Sequence, residues 1–311
     1  MKKLKQVTSM IELEDVRIKS RDGYNLSLLV HETKGAGACV QIIHGMAEHS
    51  GRYIDFAGYL AENGFSVVMS DLRGHGKDAP MLSHISDDKG DELLITDQQM
   101  ITDYINDRFR GLPVYIFAHS MGTIISRVLL QTDSNRYDKA VFSGYVCPIP
   151  LSGMACGISC LSRAFKKPRG HSRFLTFLAL GPYIMSVKDR KTPHDWLTYE
   201  RSNVENYIND PLSGVEFTIG SYNALFRLSN KMGKAGEYKN VNKDLNFLLL
   251  SGRDDPCAGG DKGRRNSRKV LEDAGFKNIS VITYDGMRHE ILNEADKNRV
   301  YRDVLDFLNK N

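Results

Sequence analysis

The chain has 311 residues, 41% hydrophobic and 26% charged, with a formal net charge of +4. That length suits one large domain or two, and the composition is that of an ordinary globular protein. The mild charge, with no basic stripe interleaved with aromatics, argues against a nucleic-acid partner. The most apolar stretch, 174–185, contains Gly181-Pro182 and is too short to span a bilayer.

The opening Met1-Lys2-Lys3-Leu4-Lys5 carries the charge of a secretory n-region. Ser9, Glu12, Glu14 and Asp15 then interrupt any apolar core, so no signal peptide is read. Residues 11–19 alternate, Arg21-Asp22-Gly23 turns, and 25–30 alternate again, which predicts an antiparallel hairpin. Residues 39–43 form a short buried strand ending at His44-Gly45. Residues 53–63 have helical spacing and stop at Gly64, and 65–69 form the next strand, ending at Asp71. A long amphipathic helix is predicted over 93–109, with Gly111-Leu112-Pro113 behind it. The apolar run 113–117 leads into Ala118-His119-Ser120-Met121-Gly122, and 123–131 reads as a helix. A further strand occupies 140–143. Strands alternating with helices imply a mostly parallel sheet covered on both faces.

That rhythm breaks near Cys147. From there to about Tyr238 the chain is helix-like and rich in Gly, Ser and basic residues, with no clear strand. It resumes with strands at 245–250 and 279–284 and a final helix at 293–308. We read residues 1–146 and 239–311 as an α/β core and 147–238 as an inserted helical cap.

The chemistry concentrates at strand ends. A strand, a sharp turn with a serine at its tip, then a helix is a nucleophile elbow. It would hold Ser120 above the sheet and aim the start of the helix at the same spot. The usual first glycine of the elbow is here Ala118, the smallest departure possible. A hydrolytic serine needs a base, and the base an orienting acid. Strand 245–250 runs into Ser251-Gly252-Arg253-Asp254-Asp255-Pro256, and strand 279–284 into Asp285-Gly286-Met287-Arg288-His289-Glu290. The order Ser, Asp, His belongs to this elbow chemistry. Asp254 and Asp255 compete for the acid. Asp255 is favoured, because Pro256 holds the residue before it extended and so helps to aim its carboxylate. The alternative for His289 is a surface-loop histidine. The N–H groups of Met46, in the turn after His44-Gly45, and of Met121 supply candidate halves of an oxyanion hole.

No cofactor or metal is expected, and activity should survive dialysis against EDTA. His44, Glu48 and His49 have the wrong spacing, on a turn rather than a helix, for a metalloprotease signature. Arg73-Gly74-His75-Gly76 and Gly259-Gly260-Asp261-Lys262-Gly263 lack a phosphate-loop pattern. The five cysteines, Cys39, Cys147, Cys156, Cys160 and Cys257, have no ligand spacing. They read as free core thiols in a reducing cytoplasm.

The chain resembles the monoacylglycerol lipase and lysophospholipase group of α/β-hydrolases. The motifs that carry the resemblance are His44-Gly45-Met46-Ala47-Glu48-His49-Ser50-Gly51-Arg52-Tyr53, Asp71-Leu72-Arg73-Gly74-His75-Gly76, His119-Ser120-Met121-Gly122 and His289-Glu290-Ile291-Leu292-Asn293-Glu294. It implies the α/β-hydrolase fold, Ser120, Asp255 and His289 as triad, Met46 and Met121 as oxyanion donors, and a cap over the site. The expected activity is hydrolysis of a small-molecule ester or amphiphilic lipid through an acyl-enzyme, with no obligatory protein partner. Alternatives on the same triad are a short-chain carboxylesterase, thioesterase, amidase or carbon–carbon bond hydrolase. A non-catalytic hydrolase-like binding protein is a further alternative. The cap segment 161–185 mixes Arg163, Lys166, Lys167, Arg169 and Arg173 with Phe165, Phe174, Leu175, Phe177 and Leu178. It reads as a lid with a solvated basic face, or as a surface making transient contact with membranes or micelles.

Overall fold

The apolar and alternating runs become one eight-stranded sheet in the computed structural model, which describes residues 11–148, 152–165, 167–239 and 241–310. The strands are β1 (Glu14–Lys19), β2 (Asn25–His31), β3 (Ala38–Ile43), β4 (Phe65–Ser70), β5 (Val114–His119), β6 (Lys139–Ser143), β7 (Asn246–Gly252) and β8 (Asn278–Tyr284). Their spatial order is β1-β2-β4-β3-β5-β6-β7-β8. β2 runs antiparallel to both β1 and β4, and every other pairing is parallel. The four strands β3 to β6 are buried along their whole length. This is why they read as unbroken apolar runs rather than alternations.

Nine helices surround the sheet among the described residues: α1 (Ile54–Glu62), α2 (Gly90–Arg108), α3 (Met121–Asp133), α4 (Ser152–Phe165), α5 (Arg173–Ser186), α6 (Arg201–Asn209), α7 (Ile219–Met232), α8 (Gly260–Asp273) and α9 (Lys297–Asn309). Alternate residues of each strand face opposite layers. On one face α1 and α9 pack on the sheet, with Phe56 5.0 Å from Tyr301 and 4.6 Å from Phe117 between ring centroids. On the other, Ile101 and Ile105 of α2, Ile125 and Leu129 of α3 and Leu271 of α8 join the larger core. α4 to α7 all lie in the long connection between β6 and β7.

Three readings change. Helix α8 has no counterpart in the predicted elements. Its buried stripe is Gly263, Arg264, Ser267, Val270 and Leu271, helically spaced but mostly not apolar. α9 begins at Lys297, because 291–293 form a separate short turn. Only Cys39 and Cys257 are core thiols. Cys160 is exposed, and Cys147 and Cys156 are half-buried. Cys156 and Cys160 sit on α4, which lies on α7 rather than on the sheet. The reading of residues 1–10 lies outside the described residues. Among those described, no helix is long and apolar enough to cross a membrane.

Candidate active site

The carboxyl ends of β3, β5, β7 and β8 deliver the predicted residues to one place, as parallel sheets do. β5 ends at His119, and α3 starts at Met121, so Ser120 alone makes the turn. Its backbone has φ 50° and ψ −118°. This is a strained conformation for a residue with a Cβ, of the kind found where function fixes it. The tight turn needs Gly122, where a Cβ would stand 2.3 Å from the Ile43 carbonyl oxygen. Ala118 lies inside β5, paired with Ile43 and Phe142, and its methyl group is accommodated there.

Ser120 Oγ lies 2.8 Å from His289 Nε2. His289 Nδ1 faces both oxygens of Asp255, at 3.0 and 3.1 Å. His289 is 1% and Asp255 2% exposed, so the surface-loop alternative for His289 does not describe its position. Asp255 has φ −71° and ψ 113°, the extended shape expected before proline. Its Oδ1 also accepts the Cys257 N–H at 2.8 Å. Asp254 is exposed and accepts a hydrogen bond from the Tyr199 hydroxyl at 3.1 Å. A serine hydroxyl in this arrangement can lose its proton to the imidazole as it attacks a carbonyl carbon.

Burial opposes the His289 cation, but the Asp255 carboxylate outweighs it, with help from Glu290 and Glu48. The net effect raises His289 above the ordinary 6.5. The neighbouring His119 is pushed down to about 4, by burial and then by His289, and stays neutral.

The turn after β3 is pinned on each side of Met46. The Gly45 N–H donates to Glu48 Oε1 at 2.5 Å, and the Ala47 N–H to His75 Nε2 at 3.2 Å. Burial lowers His75 to about 3, which keeps that nitrogen an acceptor. A Cβ on Gly45 would lie 3.0 Å from Ser120 Cβ, so this turn sits directly against the serine. As the first residue of α3, Met121 has no intrahelical acceptor for its N–H. Met46 and Met121 line the same cavity as Ser120 and His289.

Sequence reasoning gave no role to a buried ion-pair network beneath this turn. Arg52 makes two 2.7 Å bonds to Glu290 and one of 2.7 Å to Glu48 Oε2. The Tyr53 hydroxyl donates to Glu48 Oε1 at 2.8 Å. Burial works against both carboxylates, yet Arg52 holds them below the usual carboxylate range. The network ties the turn after β3 to the loop that carries His289. His49 Nε2 meets Asp210 at 2.8 Å, and His44 Nε2 accepts the Leu72 N–H at 2.9 Å. His44, Glu48 and His49 thus serve as scaffold with separate partners. Among the described residues, the potential ligand atoms that do converge belong to Asp255, Cys257 and His289. There His289 Nδ1 is committed to Asp255, and burial holds the Cys257 thiol protonated.

A cavity of about 410 Å³ opens over Ser120. Met46, Met121, Ile124 and Val146 line it from the sheet side, and Leu178, Tyr183, Trp196, Leu225 and Phe226 from the connection between β6 and β7. Its volume and largely apolar wall suit one small organic ligand.

The sequence family described as "Serine aminopeptidase, S33" matches residues 34–296. A Monkeypox virus protein named monoglyceride lipase homolog is 38% identical, over 84% of this chain and 84% of that one. The human protein named monoglyceride lipase is 26% identical, over 86% of this chain and 80% of that one. A carboxyl esterase of Bacillus coagulans, solved with glycerol, superposes with a TM-score of 0.87 at 22% identity, covering 96% of this chain and 99% of that one. The last likeness shows the fold, which is that of the α/β-hydrolases.

Proposed function

We propose, from the premise that the chain belongs to the serine aminopeptidase S33 family of α/β-hydrolases, that it cleaves monoacylglycerols or lysophospholipids through an acyl-enzyme on Ser120. The coarser activity is hydrolysis of carboxylic esters. The observation that carries the reading is the 2.8 Å approach of Ser120 Oγ to a buried, Asp255-paired imidazole at the floor of an apolar cavity. The names of the relatives support the lipid class.

His289 Nε2 takes the Ser120 proton as Oγ bonds to the ester carbonyl carbon. The resulting oxyanion rests on the N–H groups of Met46 and Met121, which act where the charge develops. His289 returns the proton to the departing alcohol as the carbon–oxygen bond breaks. Water then attacks the acyl carbon and gives a proton to His289, which returns it to Ser120 Oγ as the acyl–Oγ bond breaks and the fatty acid leaves. Residues 147–238 form the cap, a reading supported by the cavity wall that α5 and α7 provide. Large exposed apolar residues on α4 and α5 suit contact with lipid aggregates: Met154, Leu161, Phe174, Phe177 and Met185 are 58–61% exposed. Of the basic residues in that segment, Lys167, Arg169 and Arg173 are exposed, with Arg169 paired to Asp87. Lys166 and the side chains of Arg163 and Phe165 lie outside the described residues. A cytoplasmic location suits five cysteines that are all unpaired thiols.

Each methylene buried under the cap contributes about 0.8 kcal/mol, or about fourfold in the specificity constant. The kcat/KM of monoacylglycerols should therefore climb with acyl length until the cavity is full, and triacylglycerols should be poor substrates. Specificity constants for a chain-length series, acetyl esters, thioesters, amides and lysophospholipids test this. A preference for acetyl esters, with no response to long monoacyl lipids, would reject the lipid reading in favour of a short-chain carboxylesterase.

The pH profile follows from His289. The base must be neutral, and its raised pKa keeps it protonated to higher pH than an ordinary histidine. kcat/KM should fall on acidification through a midpoint above 6.5. In Asp255→Asn the charge that favours the cation is gone, so residual activity should show a lower midpoint. An acid limb well below 6.5 in the unmodified enzyme would contradict the assignment.

A further inference from the structure

The geometry points to Trp196 as a positioning residue for His289: its indole packs against the imidazole and favours the imidazolium that forms as Ser120 gives up its proton. This rests on the reading of His289 as the base. The two ring centroids are 4.9 Å apart with the planes tilted by 41°. An aromatic ring at that range attracts a cation, and more strongly when water is excluded. Trp196 is itself 9% exposed and is backed by Tyr183 at 5.6 Å.

The segment that carries Trp196 is fastened to the His289 loop. The Glu290 N–H donates to the Leu197 carbonyl at 2.7 Å. The Arg288 guanidinium donates to the Asp195 carbonyl and lies 3.9 Å over the Tyr199 ring. The Tyr199 N–H donates to Glu294 at 3.1 Å, and so does the Arg288 N–H at 2.8 Å. Asn203 and Thr198 both donate to the Asn293 carbonyl. The indole is thereby held at a set place relative to the imidazole, rather than resting on it as a loose lid.

Other groups also act on His289. From β7's outgoing loop come Asp255 and Cys257, from β5 His119, and from the turn after β3 Glu48. Glu290 adjoins it on its own loop, with Arg52 bridging the two glutamates. From the connection between β6 and β7, Tyr183 and His194 line the same cavity as His289, and Asp195 adjoins Trp196 in sequence. Three carboxylates favour the imidazolium, and His119 stays neutral beside it. The indole adds to that balance from the side of the inserted segment, where no carboxylate makes a hydrogen bond to the imidazole among the described residues.

Trp196 is the only tryptophan of the chain, so its emission is a direct readout. A protonated imidazole against an indole quenches it. Emission of the unmodified protein should fall on acidification, with the midpoint of the acid limb of kcat/KM. The transition should vanish in His289→Gln and persist in His194→Gln. Trp196→Leu should lower kcat and move the acid limb down by about half a unit to one unit. Trp196→Phe should recover much of that shift. Emission that stays flat across the kinetic midpoint would overturn the proposal, and so would Trp196→Leu with an unmoved acid limb and only a raised KM. The emission titration needs no variant of Trp196, so it decides the question even where that variant fails to fold. Undiminished activity in His289→Gln would instead reject His289 as the base, whatever the emission does.

Discussion

Replacing Ser120 by alanine is expected to lower ester turnover by at least about a thousandfold, because the members of such a triad act as a unit. The substitution is structurally quiet. Alanine keeps the Cβ, and the Ser120 N–H retains its 3.1 Å bond to the Ser143 carbonyl. The Oγ gives up its bond to His289 and nothing else that holds the elbow. A loss of activity with an unchanged melting temperature therefore isolates the chemistry from the fold. A variant that keeps activity within tenfold of the unmodified protein would place the nucleophile elsewhere.

Asp255→Asn should cost about four orders of magnitude in turnover, and Asp254→Asn no more than a few-fold. In the unmodified protein Asp255 Oδ1 accepts from both the Cys257 N–H and His289 Nδ1. Oδ2 also faces Nδ1, at 3.1 Å; in asparagine one of the two positions becomes an NH₂ group and only one acceptor oxygen remains. If it serves Cys257, its NH₂ group faces His289 Nδ1 and forces the proton onto Nε2, the nitrogen that must be free to take the Ser120 proton. The charge that supports the imidazolium is lost at the same time. Asp254 makes its hydrogen bond to an exposed tyrosine, so its amide changes little. Kinetics of both variants with one ester substrate check the order. The reverse order would mean that the acid is the residue one position earlier.

What the sequence made legible depended on how local the signal was. The strands could be read because burial on both faces leaves uninterrupted apolar runs such as those of β3 and β5. Asp255 could be preferred over Asp254 because its conformational cue, Pro256, is its immediate neighbour. Helix α8 escaped because Gly263, Arg264 and Ser267 occupy its inward stripe, with Arg264 reaching the Gly252 and Arg253 carbonyls at 2.8 Å. Hydrophobic periodicity cannot find such a helix. The Glu48–Arg52–Glu290 network escaped for a different reason: Arg52 and Glu290 are 238 residues apart in the chain. Each appeared only as a letter in a separate motif. Trp196 lies in a stretch with no motif, and its relation to His289 exists only once the connection between β6 and β7 has folded against the His289 loop.

If Ser120 forms the covalent intermediate, a fluorophosphonate must attach to it, and peptide mass spectrometry maps the adduct. A single adduct on Ser120 is expected, absent in Ser120→Ala, and slowed by a long-chain monoacylglycerol that competes for the cavity. An adduct on another serine, with Ser120 unmodified, would contradict that role for Ser120.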